Sequence, residues 1–167
     1  MRNFCLFMFI VFVMGSVTSC GKEHSVEAVK DNSGPVPEVK KIDAEGLDRL
    51  LADNKGKVII LNIFTTWCFY CKKEMPGFID LHEKYKDEGL ESIAVSVDKA
   101  NVDKIQRFVE KNKINFPVFL SSGGIVSKYS VTGLPHTVIY DRSGKAVKTH
   151  VGFGSKDFFE EEIKKLL

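Results

Sequence analysis

The sequence is poor in cysteine, with four in 167 residues, far below the roughly 8–10% of a small scaffold built on disulfides. It lacks an excess of either charge. Its 24 basic and 22 acidic residues leave +2, which gives no electrostatic case for a nucleic acid partner. It also lacks an apolar run long enough to cross a bilayer. Phe4 to Met14 holds eleven residues, about 16 Å as a helix against a hydrocarbon core of ~30 Å. No internal repeat or low-complexity segment is present. Aromatic residues are not scarce: 13 phenylalanines exclude the composition of a disordered chain. What remains is one ordinary globular domain with short extensions.

The N-terminus reads as a targeting segment. Arg2 supplies a basic tip, the apolar run follows, and Gly15-Ser16-Val17-Thr18-Ser19 leads out to Cys20. That order describes a secretory signal. Val17-Thr18-Ser19-Cys20 resembles the bacterial lipobox, in which the cysteine is lipidated and becomes the new N-terminus. Acyl chains at roughly 0.8 kcal/mol per buried methylene would anchor the protein to a membrane; the alternative is a secreted protein with a free thiol at Cys20. Residues 1–19 are therefore expected to be a lipoprotein signal peptide. Residues 20–40, polar and broken by Gly34-Pro35-Val36-Pro37, are expected to be a flexible tether. Residues 41–167 form the domain.

Within the domain, Leu47, Leu50 and Leu51 fall at helical spacing. Val58 to Phe64 is a short run rich in branched residues, as in a strand covered on both faces. A helix is expected from Cys71 to about Lys86, a strand at Ser92–Val97, and a helix over 101–113. A short strand at Phe116–Leu120 and a short helix at Ile125–Tyr129 follow. Thr137–Tyr140 and Ala146–Val151 flank Asp141-Arg142-Ser143-Gly144 as a hairpin. Phe158, Phe159, Ile163 and Leu166 line a last helix. Strands alternating with helices and then a hairpin predict an α/β fold, a mixed sheet with helices on both faces.

Cys68 and Cys71 lie three apart where a strand hands over to a helix. The first turn of a helix offers unpaired N–H groups and the positive end of the dipole, and both favour a thiolate on Cys68. Positions i and i+3 come within reach of a disulfide. Cys68 can attack a substrate disulfide, and Cys71 can then resolve the mixed disulfide. A structural staple is the first alternative, but so short a loop removes little unfolded-state entropy. Zinc is the second, but a structural site needs four ligands. His82, His136 and His150 are scattered without ligand spacing, so no metal and no cofactor beyond the redox disulfide is expected.

Trp67-Cys68-x-x-Cys71-Lys72-Lys73-Glu74-Met75-Pro76, preceded by Leu61-Asn62-Ile63-Phe64, resembles the TlpA/ResA group of thioredoxin-like, membrane-tethered thiol–disulfide oxidoreductases. The second half agrees through Phe116-Pro117-Val118 and Val131-Thr132-Gly133-Leu134-Pro135-His136-Thr137. The likeness covers most of residues 41–167 and implies a thioredoxin-like fold. It implies that Pro135 is a cis-proline beside the dithiol, presenting the backbone of Leu134 to an extended substrate. It implies that Glu74 assists proton transfer; without it, Glu74 would read as a surface acid paired with Lys72 or Lys73. Asn62 stands where thioredoxins proper carry a buried Asp. Phe69-Tyr70 departs from relatives that place proline before the second cysteine, which opens the redox poise. Trp67 is expected to shield the dithiol and form part of the docking surface. His136 either adds positive potential near Cys68 or packs.

The function expected is disulfide exchange with proteins of the cell envelope, in the reducing direction that the resemblance implies. Its partners would be envelope protein thiols or disulfides and an upstream electron donor, with the chain a monomer anchored to a bacterial membrane and its domain in the periplasm. The competing readings are a disulfide oxidase or isomerase, a peroxidase of the peroxiredoxin type, and a redox-inactive binding module.

Overall fold

The computed structural model describes residues 36–167. The expected signal peptide, Cys20 and most of the tether lie outside the described residues. The strands are β1 (Lys40–Asp43), β2 (Val58–Phe64), β3 (Leu90–Ser96), β4 (Val118–Gly123), β5 (His136–Tyr140) and β6 (Ala146–Val151). The helices are α1 (Ala44–Asp53), α2 (Phe69–Tyr85), α3 (Val102–Lys111), α4 (Ile125–Lys128) and α5 (Lys156–Lys164), with a 3₁₀ turn at Lys86–Glu88.

The six strands form one sheet in the order β1-β4-β3-β2-β5-β6. β1/β4, β4/β3 and β3/β2 pair in parallel, while β2/β5 and β5/β6 are antiparallel. This is the mixed sheet that the element order predicts. Every residue of β2 is buried, and side chains on a strand alternate between faces. Val58, Ile60 and Phe64 pack with α2, α3 and α5 through Phe78, Leu81, Ile105, Val109 and Phe159. Ile59, Leu61 and Ile63 pack on the other face with Leu47 of α1 and Ile125 of α4. A strand with helices over both faces needs apolar residues at every position, and the uninterrupted run meets that demand.

Three of the helices begin where short polar side chains accept backbone N–H groups. Asp43 caps α1 through Gly46, Asn101 caps α3 through Lys104, and Ser155 caps α5 through Phe158. Gly89 closes the 3₁₀ turn at φ 99°, a left-handed conformation that a side chain would strain.

One element and several boundaries differ from expectation. β1 was not foreseen, and the fold begins before residue 41. Val39 is buried, with its N–H donated to Gln106 Oε1 at 2.8 Å, and Lys40 pairs with Phe119. The strand Lys40-Lys41-Ile42-Asp43 buries only Ile42. It lies at the sheet edge, where a single inward side chain leaves no alternation to read.

Candidate active site

The site assembles at one end of the central strand. β2 and β3 run parallel and end side by side at Phe64 and Ser96, while β5 starts there because it runs the opposite way, His136 lying opposite Ile63. The chain leaves β2 through Thr65-Thr66-Trp67 and enters α2 at Cys68, which has extended backbone (φ −68°, ψ 119°). The Cys71 N–H donates to Cys68 Sγ at 3.1 Å, so the sulfur itself occupies the capping position of the helix. α2 therefore starts at Phe69, two residues ahead of the expected start.

Cys68 and Cys71 are joined as a disulfide with their Cα atoms 5.3 Å apart, within the ordinary range for such a bridge. Cys68 is 8% exposed and Cys71 1%. That asymmetry suits an outer sulfur that meets a substrate and an inner one that resolves. The Leu134–Pro135 peptide is cis; Pro135 is buried and its carbonyl accepts the Gly152 N–H at 2.8 Å. Leu134 is half-buried and touches the apolar clusters of both faces.

Glu74 is not a surface acid. It is 4% exposed, one turn beyond Cys71 on the same side of α2. Its Oε1 accepts the Gly154 N–H at 2.8 Å, and its Oε2 accepts from Asn62 Nδ2 at 3.1 Å. Asn62 also donates to Thr137 Oγ1 at 3.0 Å. Burial raises the Glu74 pKa from 4.5 to about 7, against the two hydrogen bonds, which lower it. The carboxyl is thus poised to hold or release a proton near neutrality.

Two of the expected site residues lie at opposite extremes of exposure, and the burial of His136 corrects its place in substrate binding. Trp67 is 70% exposed and stands at the surface beside the pair. His136 is 3% exposed, and neither ring nitrogen has a partner among the described residues. Burial lowers its pKa, which disfavours the charged imidazolium. His136 also lies one residue from Thr137 on β5, and alternation turns the two to opposite faces. It packs; it neither supplies positive potential nor lies at the surface where a substrate would.

Three contributors were not foreseen. Gly154 supplies the N–H on Glu74, and Thr137 supplies the hydroxyl on Asn62. Asp98 accepts from the Thr66 N–H at 2.7 Å, two residues before Cys68. An isolated acid after the strand Ser92–Val97 was the available signal for Asp98. Around the pair, Trp67, Phe69, Tyr70 and Phe153 are all exposed aromatics. Tyr70 lies 5.4 Å from Phe69 and 6.3 Å from Phe153, with Lys73 Nζ 4.6 Å over the Phe153 ring. Among the described residues, no group of three or more His, Cys, Asp or Glu is placed to hold a metal, and no helix is long and apolar enough to cross a membrane.

The comparisons agree with this chemistry. The AhpC/TSA family model matches residues 33–149. The thiol-disulfide oxidoreductase ResA of Bacillus thuringiensis subsp. konkukian is 36% identical over 146 residues, covering 87% of this chain and 82% of that protein. ResA of Halalkalibacterium halodurans is 33% identical over 120 residues, 71% of this chain and 68% of its own. Among solved structures, a Chlorobium tepidum chain provisionally assigned as the thiol:disulfide interchange protein DsbE superposes with a TM-score of 0.65. It is 30% identical, over 70% of this chain and 84% of that one. StoA from Bacillus subtilis gives a TM-score of 0.59 at 27% identity, over 66% and 84%. With a thioredoxin-like sheet, a paired Cys68 and Cys71 at a helix start and relatives of this kind, the chain belongs to the AhpC/TSA family and is a thiol–disulfide oxidoreductase of the ResA type.

Proposed function

We propose that the protein works as a membrane-anchored reductant of disulfides in proteins of the cell envelope, held by lipid on Cys20. The observation that carries the exchange cycle is the buried carboxyl of Glu74, with its pKa near 7, one helical turn from the inner cysteine; the reducing direction rests on the likeness to the TlpA/ResA group. In the dithiol form, the Cys68 thiolate attacks one sulfur of a client disulfide. The Cys68–client bond forms, the client S–S bond breaks, and the leaving client thiolate takes a proton. Glu74 then accepts the proton of the buried Cys71 thiol. The Cys71 sulfur attacks Cys68 Sγ, the mixed disulfide breaks, and the second client thiolate leaves. Two electrons pass to the client and the protein is left with its disulfide. An upstream dithiol donor restores it by the same exchange in reverse.

Docking falls to the surface that surrounds the pair. Trp67, Phe69, Tyr70 and Phe153 offer apolar area, and the backbone of Leu134 beside Pro135 offers strand-type hydrogen bonding to an extended segment. The anchor rests on the Val17–Cys20 motif and the apolar run before it.

One experiment in cells tests both claims. Full-length Cys71→Ala should accumulate mixed disulfides with envelope proteins in the membrane fraction, and adding Cys20→Ala should move the adducts to the soluble fraction. The dithiol potential of the wild type should lie nearer thioredoxin's value of about −270 mV than an oxidant's of about −120 mV. Absence of adducts, or a potential at the oxidising end, overturns the reductant reading. Membrane retention of the Cys20→Ala chain overturns the lipid anchor.

A further inference from the structure

The loop that carries Cys68 is held from a second strand. Between the end of β2 and the start of α2 lie Thr65, Thr66 and Trp67, too few to form an element of their own. Asp98, just past β3, reaches across to this loop. Its Oδ2 accepts the Thr66 N–H at 2.7 Å and the Ser96 hydroxyl at 2.8 Å, and its Oδ1 accepts the Thr66 hydroxyl at 3.1 Å. The Asp98 side chain is 2% exposed, with Lys104 Nζ 3.8 Å from Oδ1 as its cation. A carboxylate so deeply buried is expensive unless its lone pairs are used, and here two of its three hydrogen bonds go to the loop and one to the end of β3.

The obvious structural role for an acid in this position would be to cap α3, and Asp98 does not do it. Asn101 Oδ1 caps α3, accepting the Lys104 N–H at 3.1 Å. The Asp98 carboxylate instead fixes Thr66 through both its backbone and its side chain. The next link is the Cys68 N–H, donated to the Thr65 carbonyl at 3.2 Å, and the last is the Cys71 N–H on Cys68 Sγ at 3.1 Å. The chain of bonds thus runs from the end of β3 to the reacting sulfur.

We propose that Asp98 is a positioning residue for thiol exchange, clamping Thr66 so that Cys68 Sγ stays at the N-terminus of α2. Its role is geometric. As a charge, an anion bonded to the residue two before Cys68 would oppose the thiolate, whereas as a pair of acceptors it keeps the sulfur where helix N–H groups stabilise that thiolate. The two contributions have opposite signs, which makes them separable. Asparagine keeps an acceptor oxygen for the Thr66 N–H and can donate to the Thr66 hydroxyl, so Asp98→Asn removes the charge and keeps the clamp. Asp98→Ala removes both. The proposal concerns the reactivity of Cys68 alone and stands apart from the direction of transfer, the clients and the anchor proposed above.

The test is the rate of iodoacetamide alkylation of Cys68 at pH 7, read on the Cys68 peptide by mass spectrometry in the Cys71→Ala background. Asp98→Ala should slow it by about tenfold, since a misplaced reacting group loses that much or more. Asp98→Asn should stay within about threefold of the parent or exceed it, because losing a nearby anion favours the thiolate. Leu47→Ala, buried under the opposite face, serves as the destabilised control and should also stay within about threefold. An unchanged rate in Asp98→Ala overturns the proposal. So does an Asp98→Asn rate as low as that of Asp98→Ala, or an equal loss in Leu47→Ala, which would reduce the effect to general destabilisation.

Discussion

At the scale of the residue, Glu74 links chemistry to stability through one proton. Its pKa is about 7 in the fold against 4.5 for an unstrained carboxyl, so the folded state holds the proton more tightly than the unfolded one. The resulting stabilisation is fully present below about pH 4.5 and is lost as pH rises through 7, a total of about 3 kcal/mol at 1.36 kcal/mol per unit. Urea denaturation across that window should show wild-type stability falling relative to Glu74→Gln, whose amide cannot titrate. Catalysis has the opposite slope. Glu74 must be deprotonated to take the Cys71 proton, so resolution of a mixed disulfide on Cys68 should accelerate up to about pH 7 and then level off. Glu74→Gln should slow that step by about 10²-fold, the lower range for a positioned base, and flatten its pH profile. Stopped-flow release of a fluorescent thiol from the mixed disulfide reads both. A rate that keeps its rise towards pH 7 in Glu74→Gln would assign the titration to another group.

At the scale of the element, α5 and the loop before it act on the site from a distance in sequence. Gly154 donates its N–H to Glu74 Oε1 at 2.8 Å, and a Cβ there would meet the Phe159 ring at 2.5 Å, well inside contact. Gly154→Ala must therefore displace either α5 or the loop, at a cost of about 1–3 kcal/mol as for an overpacked core. Chemical denaturation should show that loss. The activity profile should shift to higher pH as well, because the lost N–H had stabilised the carboxylate. An Ala variant with wild-type stability and an unshifted profile would mean the loop yields freely. This contact also shows what a sequence can and cannot convey. Cys68, Cys71 and the strand-to-helix handover were legible because spacing and local pattern carry them. Glu74 was legible only through its resemblance to a family motif, since its burial depends on Gly154, 80 residues away. Asp98 and Gly154 were silent for the same reason: a hydrogen bond across the fold leaves no period in the chain. β1 was missed because one buried side chain in four makes no pattern. The exposure of Trp67 and the burial of His136 are set by tertiary packing, which the local pattern does not carry.

At the scale of the whole molecule, core and site share a strand: the core fills both of its faces, and the site uses one. Asn62 of β2 turns towards α2 and holds Glu74, while Leu61 turns towards α1 and α4 with Ile59 and Ile63. Alternation therefore separates two demands on adjacent residues. Leu61 is fully buried, and Leu61→Ala removes its contacts and leaves a cavity, which costs about 2–5 kcal/mol. The cavity opens on the face away from α2, so the clamp on Thr66 and the bonds to Glu74 keep their partners while the domain stays folded. Leu61→Ala should accordingly lose midpoint denaturant concentration yet alkylate Cys68 within about threefold of the parent at 25 °C, as distant and independent sites do. Asn62→Ala should do the reverse, with a smaller loss of stability and an altered pH profile, because it leaves Glu74 without one of the two donors that favour its charged form. If Leu61→Ala slowed Cys68 while folded, β2 would be transmitting strain along its length. The sheet would then be coupling core to site, where alternation predicts that it insulates them.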